Sequence, residues 1–316
     1  MRPRLACAVA ALVLGAGVAA AGCGFGEGEK SEGEATLTVT RDYGSEPMHE
    51  VTIADPTEAD TVIRVLDREA EITTRYGGGF VQSIDGLEGK IAGDRSLDWF
   101  FFVNGIESDR GSADVAVRAG DRIWWDYRDW TDALRTPVVL GSWPEPFAQE
   151  AEGDAANPVK VECDGGREAC ELVAERLADA GAEATIVDGD ARPDRKAMRV
   201  LVGPWSELRD DGLAANLAEH PQMSGVFARF AGDDDPELLA LNERAQPAAR
   251  LGPGAGLVAG MRRGADPPTL VVTGTDPEGV RAAVELLDED SLANHYAVAV
   301  ADGEELALPV VEAESP

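Results

Sequence analysis

Positive charge is scarce in this sequence and nowhere clustered. Lysine occurs only at Lys30, Lys90, Lys160 and Lys196, and 28 Lys and Arg face 59 Asp and Glu, for a formal net charge of -31 over 316 residues. Nucleic acid is therefore not an expected partner, because phosphate contacts need grouped cations. Histidine is almost as rare. His49, His220 and His295 sit in different segments, and none has a second ligand at a metal spacing such as HExxH. No GxSxG elbow or Walker loop occurs, and carboxylates are too numerous for a pair of them to signal catalysis. We expect a protein that is not an enzyme and carries no cofactor. GDDDPE (232–237) groups Asp233, Asp234 and Asp235 without the ligand alternation or terminal Glu of a calcium loop, so it reads as a solvated turn. GPGAGLVAG (252–260) has dinucleotide-loop spacing at Gly254, Gly256 and Ala259, but no buried strand precedes it. Close backbone approach is the better reason for its glycines.

What is present begins with a short basic head, MRPR, and the apolar run LACAVAALVLGAGVAA, which is too short for a comfortable membrane span. Residues 1–22 read as an export signal. Ala20, Ala21 and Gly22 before Cys23 resemble the lipobox of bacterial lipoproteins, whose cysteine is acylated and becomes the new N-terminus. Ala20 stands where Leu is usual, which leaves ordinary cleavage and free secretion as the alternative. The expected location is the outer face of the bacterial cytoplasmic membrane, reached only through the lipid on Cys23. With Cys7 in the signal, Cys163 and Cys170 remain in a compartment that lets thiols oxidise, and a disulfide is expected. The sharper alternative is a reactive thiol at Cys170, near a helix start.

Residues 23–34 hold little to bury and read as a flexible acidic tether with a reach of roughly 20 Å. From Ala35 the pattern changes: ATLTVT alternates as a strand, MHEVTIADP gives a second strand, and a helix over 57–70 places Val62, Ile63, Val65, Leu66 and Ala70 on one side. Three or four more strands follow among Gly-rich turns. Strands, a helix, then strands over residues 35–135 predict an α+β roll of the β-grasp type. Residues 136–158 read as a connector, with Trp143 and Phe147 suggesting that it packs down. Residues 159–316 alternate strand and helix and predict a small α/β sandwich domain with a mostly open sheet.

DWFFFVNG (98–105) poses the central question, because period-2 alternation gives this strand two apolar faces. In RIWWDYRDW, Ile123, Trp125 and Tyr127 share one face, while Trp124, Asp126, Arg128 and Trp130 share the other. The first set reads as core. The second mixes aromatic planes with charge, as a surface gripping an amphipathic ligand does. Phe100, Phe102 and Asn104 join it as candidate ligand-binding residues, and cover by the connector or the second domain is the alternative.

The order GGFVQSIDGLEG, DWFFFVNGIES, ADVAVRAGDRIWWDY resembles the DUF4430 domain, a bacterial relative of the C-terminal β-domain of intrinsic factor and transcobalamin. The resemblance rests on the turn at Ile84, Asp85 and Gly86, on Val103-Asn104-Gly105, and on Gly120-Asp121. It spans residues 35–130 and implies a β-grasp domain that closes over one face of cobalamin. Nothing in residues 151–316 looks like the helical barrel that completes the site in the vitamin carriers. The expected partner is a small molecule of cobalamin type, with docking to a membrane transporter or wall component as the alternative.

Overall fold

The computed structural model describes residues 28–132, 135–148, 157–164, 166–189, 196–232 and 234–311. The expected signal (1–22), the lipid site Cys23, part of the tether, the middle of the connector and Asp233 lie outside the described residues. Among the described residues no helix is long and apolar enough to cross a membrane.

The first part is built on one mixed sheet. Strict alternation makes β1 (Glu34–Arg41), and β2 (Glu46–Ala54) returns antiparallel beside it; α1 (Val62–Glu69) then crosses one face. A small antiparallel sheet of β3 (Ile72–Arg75), β4 (Phe80–Ile84) and β5 (Leu87–Glu88) follows. Next come β6 (Lys90–Ala92), β7 (Arg95–Val103), β8 (Ile106–Glu107) and β9 (Arg122–Asp129). The main sheet runs β2-β1-β9-β7-β6, with β8 paired to β7. First and last strands meet in the middle as a parallel pair, Thr36 opposite Arg122 through Arg41 opposite Tyr127. Asn104 and Gly105, both at positive φ, close the two-residue turn from β7 to β8.

The helix is shorter than the pattern predicts. Asp60 accepts from the Thr57 N–H at 2.8 Å and pairs with Arg68, so residues 57–60 form a turn and α1 begins only at Val62. Val62, Val65 and Leu66 pack on Leu37, Val39, Trp99, Ile123, Trp125 and Tyr127, with Val81 and Ile84 from the small sheet. Burying a side chain of this size stabilises by roughly 1.5–3 kcal/mol. The tether expectation needs correction. From Lys30, which bridges Thr57, the chain is strapped to the first part: Ser31 N–H bonds the Pro56 carbonyl at 2.7 Å and Ala119 N–H bonds Ser31 Oγ at 3.2 Å.

The second part holds an open seven-stranded sheet. Its elements are β10 (Val159–Cys163), α2 (Arg167–Asp179), β11 (Ala184–Asp188) and β12 (Met198–Pro204), then three single turns, α3 (Trp205–Leu208), α4 (Asn216–Glu219) and α5 (Pro221–Ser224). A separate antiparallel sheet follows: β13 (Ala228–Ala231), β14 (Glu237–Leu241) and β15 (Pro247–Leu251). The chain closes through β16 (Gly256–Met261), β17 (Thr269–Gly274), α6 (Pro277–Glu285), α7 (Glu289–Leu292), β18 (Ala297–Ala301) and β19 (Glu304–Leu308). The large sheet runs β11-β10-β12-β17-β16-β18-β19, parallel through β17 and antiparallel beyond it.

Helices α2 and α6 cover one face of this sheet, together with Leu140, Trp143 and Phe147. Asp276 caps α6 by accepting from the N–H groups of Glu278 (2.9 Å) and Gly279 (3.0 Å). A Cβ on Gly256 would lie 2.3 Å from the Gly279 carbonyl, so this glycine serves helix–strand contact, while one on Gly260 would lie 2.4 Å from the Val138 side chain. PWSELRDDGLAANLAEH, which reads as one helix, breaks into turns. Asp211 Oδ1 caps a fresh turn through the N–H groups of Leu213 and Ala214, while Oδ2 takes Arg199 at 2.7 Å. Cys163 and Cys170 are disulfide-bonded, with Cα atoms 5.9 Å apart.

Candidate functional site

The candidate residues of β7 and β9 converge, but inside the molecule. Register places Phe102 opposite Trp124 and Phe100 opposite Asp126, all on the face away from α1. That face meets the second part in one continuous core with Tyr43, Val139, Leu201, Trp205, Phe227, Leu257, Ala259 and Tyr296. Phe102 (0%), Trp124 (2%), Asp126 (0%) and Arg128 (0%) have essentially no exposure. The expectation of a free ligand-binding face is thereby corrected: both answers to the DWFFFVNG question are intramolecular. Phe100 is half-buried, packed against the same core. Trp130, also half-buried, donates its N–H to Ser96 O at 2.8 Å. Asn104 is a turn staple, giving its Nδ2 to Asp121 Oδ1 and accepting the Arg122 N–H, each at 2.8 Å.

At the centre of this seam Asp126 collects four donors. Thr40 Oγ1 (2.6 Å) and the Gly44 N–H (3.1 Å) reach Oδ1; Tyr296 OH (2.8 Å) and the Tyr43 N–H (3.1 Å) reach Oδ2. Trp124 Nε1 in turn donates to Thr40 Oγ1 at 2.8 Å. Burial pushes the Asp126 carboxyl up to about 6, although Thr40, Tyr296, Gly44 and Arg128 pull the other way. The Arg128 guanidinium carbon stands 4.0 Å over the Phe100 ring and about 6 Å from the rings of Tyr43 and Tyr296, with Glu107 Oε2 at 3.7 Å. Burial lowers Arg128, and Tyr296, Tyr43, Glu107 and Asp126 together more than reverse that, leaving it above the usual arginine range. Burial likewise raises Tyr43 and Tyr296, so both hydroxyls stay protonated and able to donate.

Tyr296 is the second part's contribution. Its ring lies 5.2 Å from Tyr43, 5.3 Å from Trp124 and 5.7 Å from Phe102, each edge-on. Residues 136–148 pin both parts: Val139 N–H bonds Gly105 O (2.8 Å), and Leu140 N–H bonds His295 O (3.1 Å). Arg122–Glu289 (2.5 Å) and Arg244–Asp94 (3.0 Å) cross the seam at its rim. Tyr43, Thr40 and Tyr296 escape a reading of the sequence, because partners 83, 86 and 170 positions from Asp126 leave no local signal; only the isolated Tyr in HYAVAV hints at a polar tip beside a buried strand.

Clefts open at the seam among the described residues, one of them of about 380 Å³ between Arg122, Trp143, Arg176 and Glu289. A second, of about 350 Å³, is lined by Thr36, Thr38, Arg122, Trp124, Trp143 and Glu289. A third, of about 320 Å³, takes in Arg41, Tyr43, Lys90, Arg95, Tyr127 and Glu243. All three mix signs of charge. Among the described residues no group of three His, Cys, Asp or Glu could hold a metal ion.

Residues 59–129 match the model of DUF4430, a domain of unknown function. That stretch holds α1, β3 to β9 and, of the first part's side of the seam, Phe100, Phe102, Trp124, Asp126 and Arg128, but not Thr40, Tyr43 or Gly44. No curated protein matches the chain. A crystal structure of a "putative metal binding protein" from Ruminococcus gnavus is similar at 19% identity and a TM-score of 0.25, over 31% of this chain and 98% of that one. A likeness of that size carries no argument about this chain.

Proposed function

We propose that this protein is an exported, lipid-tethered, non-catalytic interaction module of the cell envelope. In it a β-grasp domain and an α/β domain are joined through the aromatic face that a carrier would have offered to its ligand. The observation that carries this reading is the complete burial of Phe102, Trp124, Asp126 and Arg128 under Val139, Phe227 and Tyr296. A corrinoid or similar amphipathic molecule would need that face, and the protein's own second half takes its centre, leaving only Phe100 and Trp130 half-buried at the margin. What is left for partners is the outer surface. The β-grasp part of the reading is supported by the central parallel pair β1–β9, with α1 laid across it.

Two measurements test the proposal. Titration of the chain from Cys23 onward with cobalamins should leave tryptophan emission unchanged beyond inner-filter loss; saturable, stoichiometric quenching would return the carrier reading. Cells expressing the full chain should incorporate labelled fatty acid and lose it in Cys23→Ser. A secreted, unlabelled product would make the protein a free one.

A further inference from the structure

A lipid on Cys23 leaves only residues 24–27 before Gly28, where the described chain begins. Five residue steps reach at most about 17 Å. Beyond them the strap is fixed: Glu58 N–H bonds Glu29 O at 3.0 Å, Lys30 bridges Thr57, and Ser31 N–H bonds Pro56 O. It runs beside the start of α1. The second part covers the opposite face of the sheet, so a short N-terminal anchor holds the α1 side toward the bilayer.

On that side the turn between β3 and β4 carries Tyr76, 88% exposed, and β4 opens with Phe80, 40% exposed, their rings edge-on with centroids 6.4 Å apart. A series of contacts ties this tip to the strap. Thr61 bridges Ala116, Ile63 N–H bonds Ser112 O at 3.1 Å, and a Cβ on Gly111 would lie 3.2 Å from Gly79 O. Such a pair of rings left in water on the anchored side suits the lipid interface, where an apolar ring with a polar tip is most at home. Charge does not explain the placement. With a net charge of -31, anionic lipid repels the body, so an aromatic contact is what can hold it down.

We infer that the Tyr76–Phe80 tip is a membrane-contacting element that seats among lipid headgroups once the N-terminal lipid brings it there; this rests on the lipid-anchored reading above. The test supplies the anchor artificially, so it does not depend on lipidation in cells. The chain from residue 24, which keeps every described residue, is attached through an N-terminal histidine tag to nickel-chelating lipid in phosphatidylcholine vesicles. An environment-sensitive fluorophore is placed on Tyr76→Cys or, as the control, on Met223→Cys, which is 78% exposed in the second part. A blue shift and quenching by doxyl-labelled lipid at position 76, absent at 223, and weakened when phosphatidylglycerol is added, is the expected result. Equal quenching at both positions, or none at either, overturns the proposal. In a second arm Tyr76→Asn with Phe80→Thr, chosen to suit a left-handed φ and a strand, should shorten the residence of the tagged chain on the vesicles several-fold at unchanged thermal stability. Unchanged residence also overturns it. Loss of fatty-acid labelling in cells, by contrast, removes the anchor without touching the vesicle result.

Discussion

At the residue scale the decisive group is Asp126. Its folded value, raised by burial to about 6 from 3.8, means that the native state binds a proton more readily than the unfolded chain does. Stability from this residue is therefore greatest below about pH 4 and declines as pH rises through 6, by an amount on the order of 3 kcal/mol. Asp60, Asp85, Asp129, Asp211 and Asp276 are lowered and act in the opposite sense, losing their contribution as pH falls. The test is a difference. Urea unfolding of Asp126→Asn against the parent should show the parent losing ground between pH 4 and pH 6 relative to the variant, and parallel curves would show that Asp126 titrates normally. Tyr296→Phe removes one charge-assisted hydrogen bond across the seam and should cost about 1.5–3 kcal/mol at neutral pH, where the carboxylate needs that donor.

Elements explain why the seam forms where it does. β7 is apolar on both faces through Trp99 to Val103, while β9 is apolar on the α1 face and mixes Trp124 with Asp126 and Arg128 on the other, so both strands need cover on two sides. One layer is α1 with the small β3–β5 sheet; the other is β16, β18 and the β13–β15 sheet of the second part, with Val139 between. The β10–α2 corner is held differently, by the Cys163–Cys170 bond closing a short loop. On the chain-entropy model the bond is worth about 2.5 kcal/mol. Replacing both cysteines by serine should lower stability by no more than that, and a calorimetric loss well above it would show the bond holding more than its own loop. α4 and α5 are single turns, because Asp211 and Pro221 each restart the helix in a stretch whose spacing alone looks continuous.

For the whole molecule, the prediction is that neither half is self-sufficient at the seam. Residues 28–132 produced alone would expose Phe102 and Trp124 beside Asp126 and Arg128. The fragment should self-associate and bind hydrophobic dyes strongly in sedimentation and fluorescence assays, whereas the intact chain should do neither. A soluble, monomeric, dye-silent fragment would mean that the first part repacks without its partner. The domain would then be a module whose aromatic face has a use outside this chain.

Much of this architecture was legible beforehand, and the unread part has one physical cause. Alternation in ATLTVT and RIWWDY, the Asn104-Gly105 turn, the Asp276-Pro277 helix start and the Cys163/Cys170 pairing are local or nearly local facts. They rest on side-chain period, φ preference and capping chemistry, which a chain carries wherever it goes. The sequence alone therefore determined that β1, β7 and β9 are strands, which of their side chains share a face, and that β7 and β9 demand cover on two sides, whereas β14, β15 and β16 carry no such reading. Who supplies the second cover was decided only by the tertiary structure. Tyr296 meets Asp126 across 170 positions, and an apolar strand attracts a ligand, a partner or its own C-terminal half through the same non-directional burial of surface.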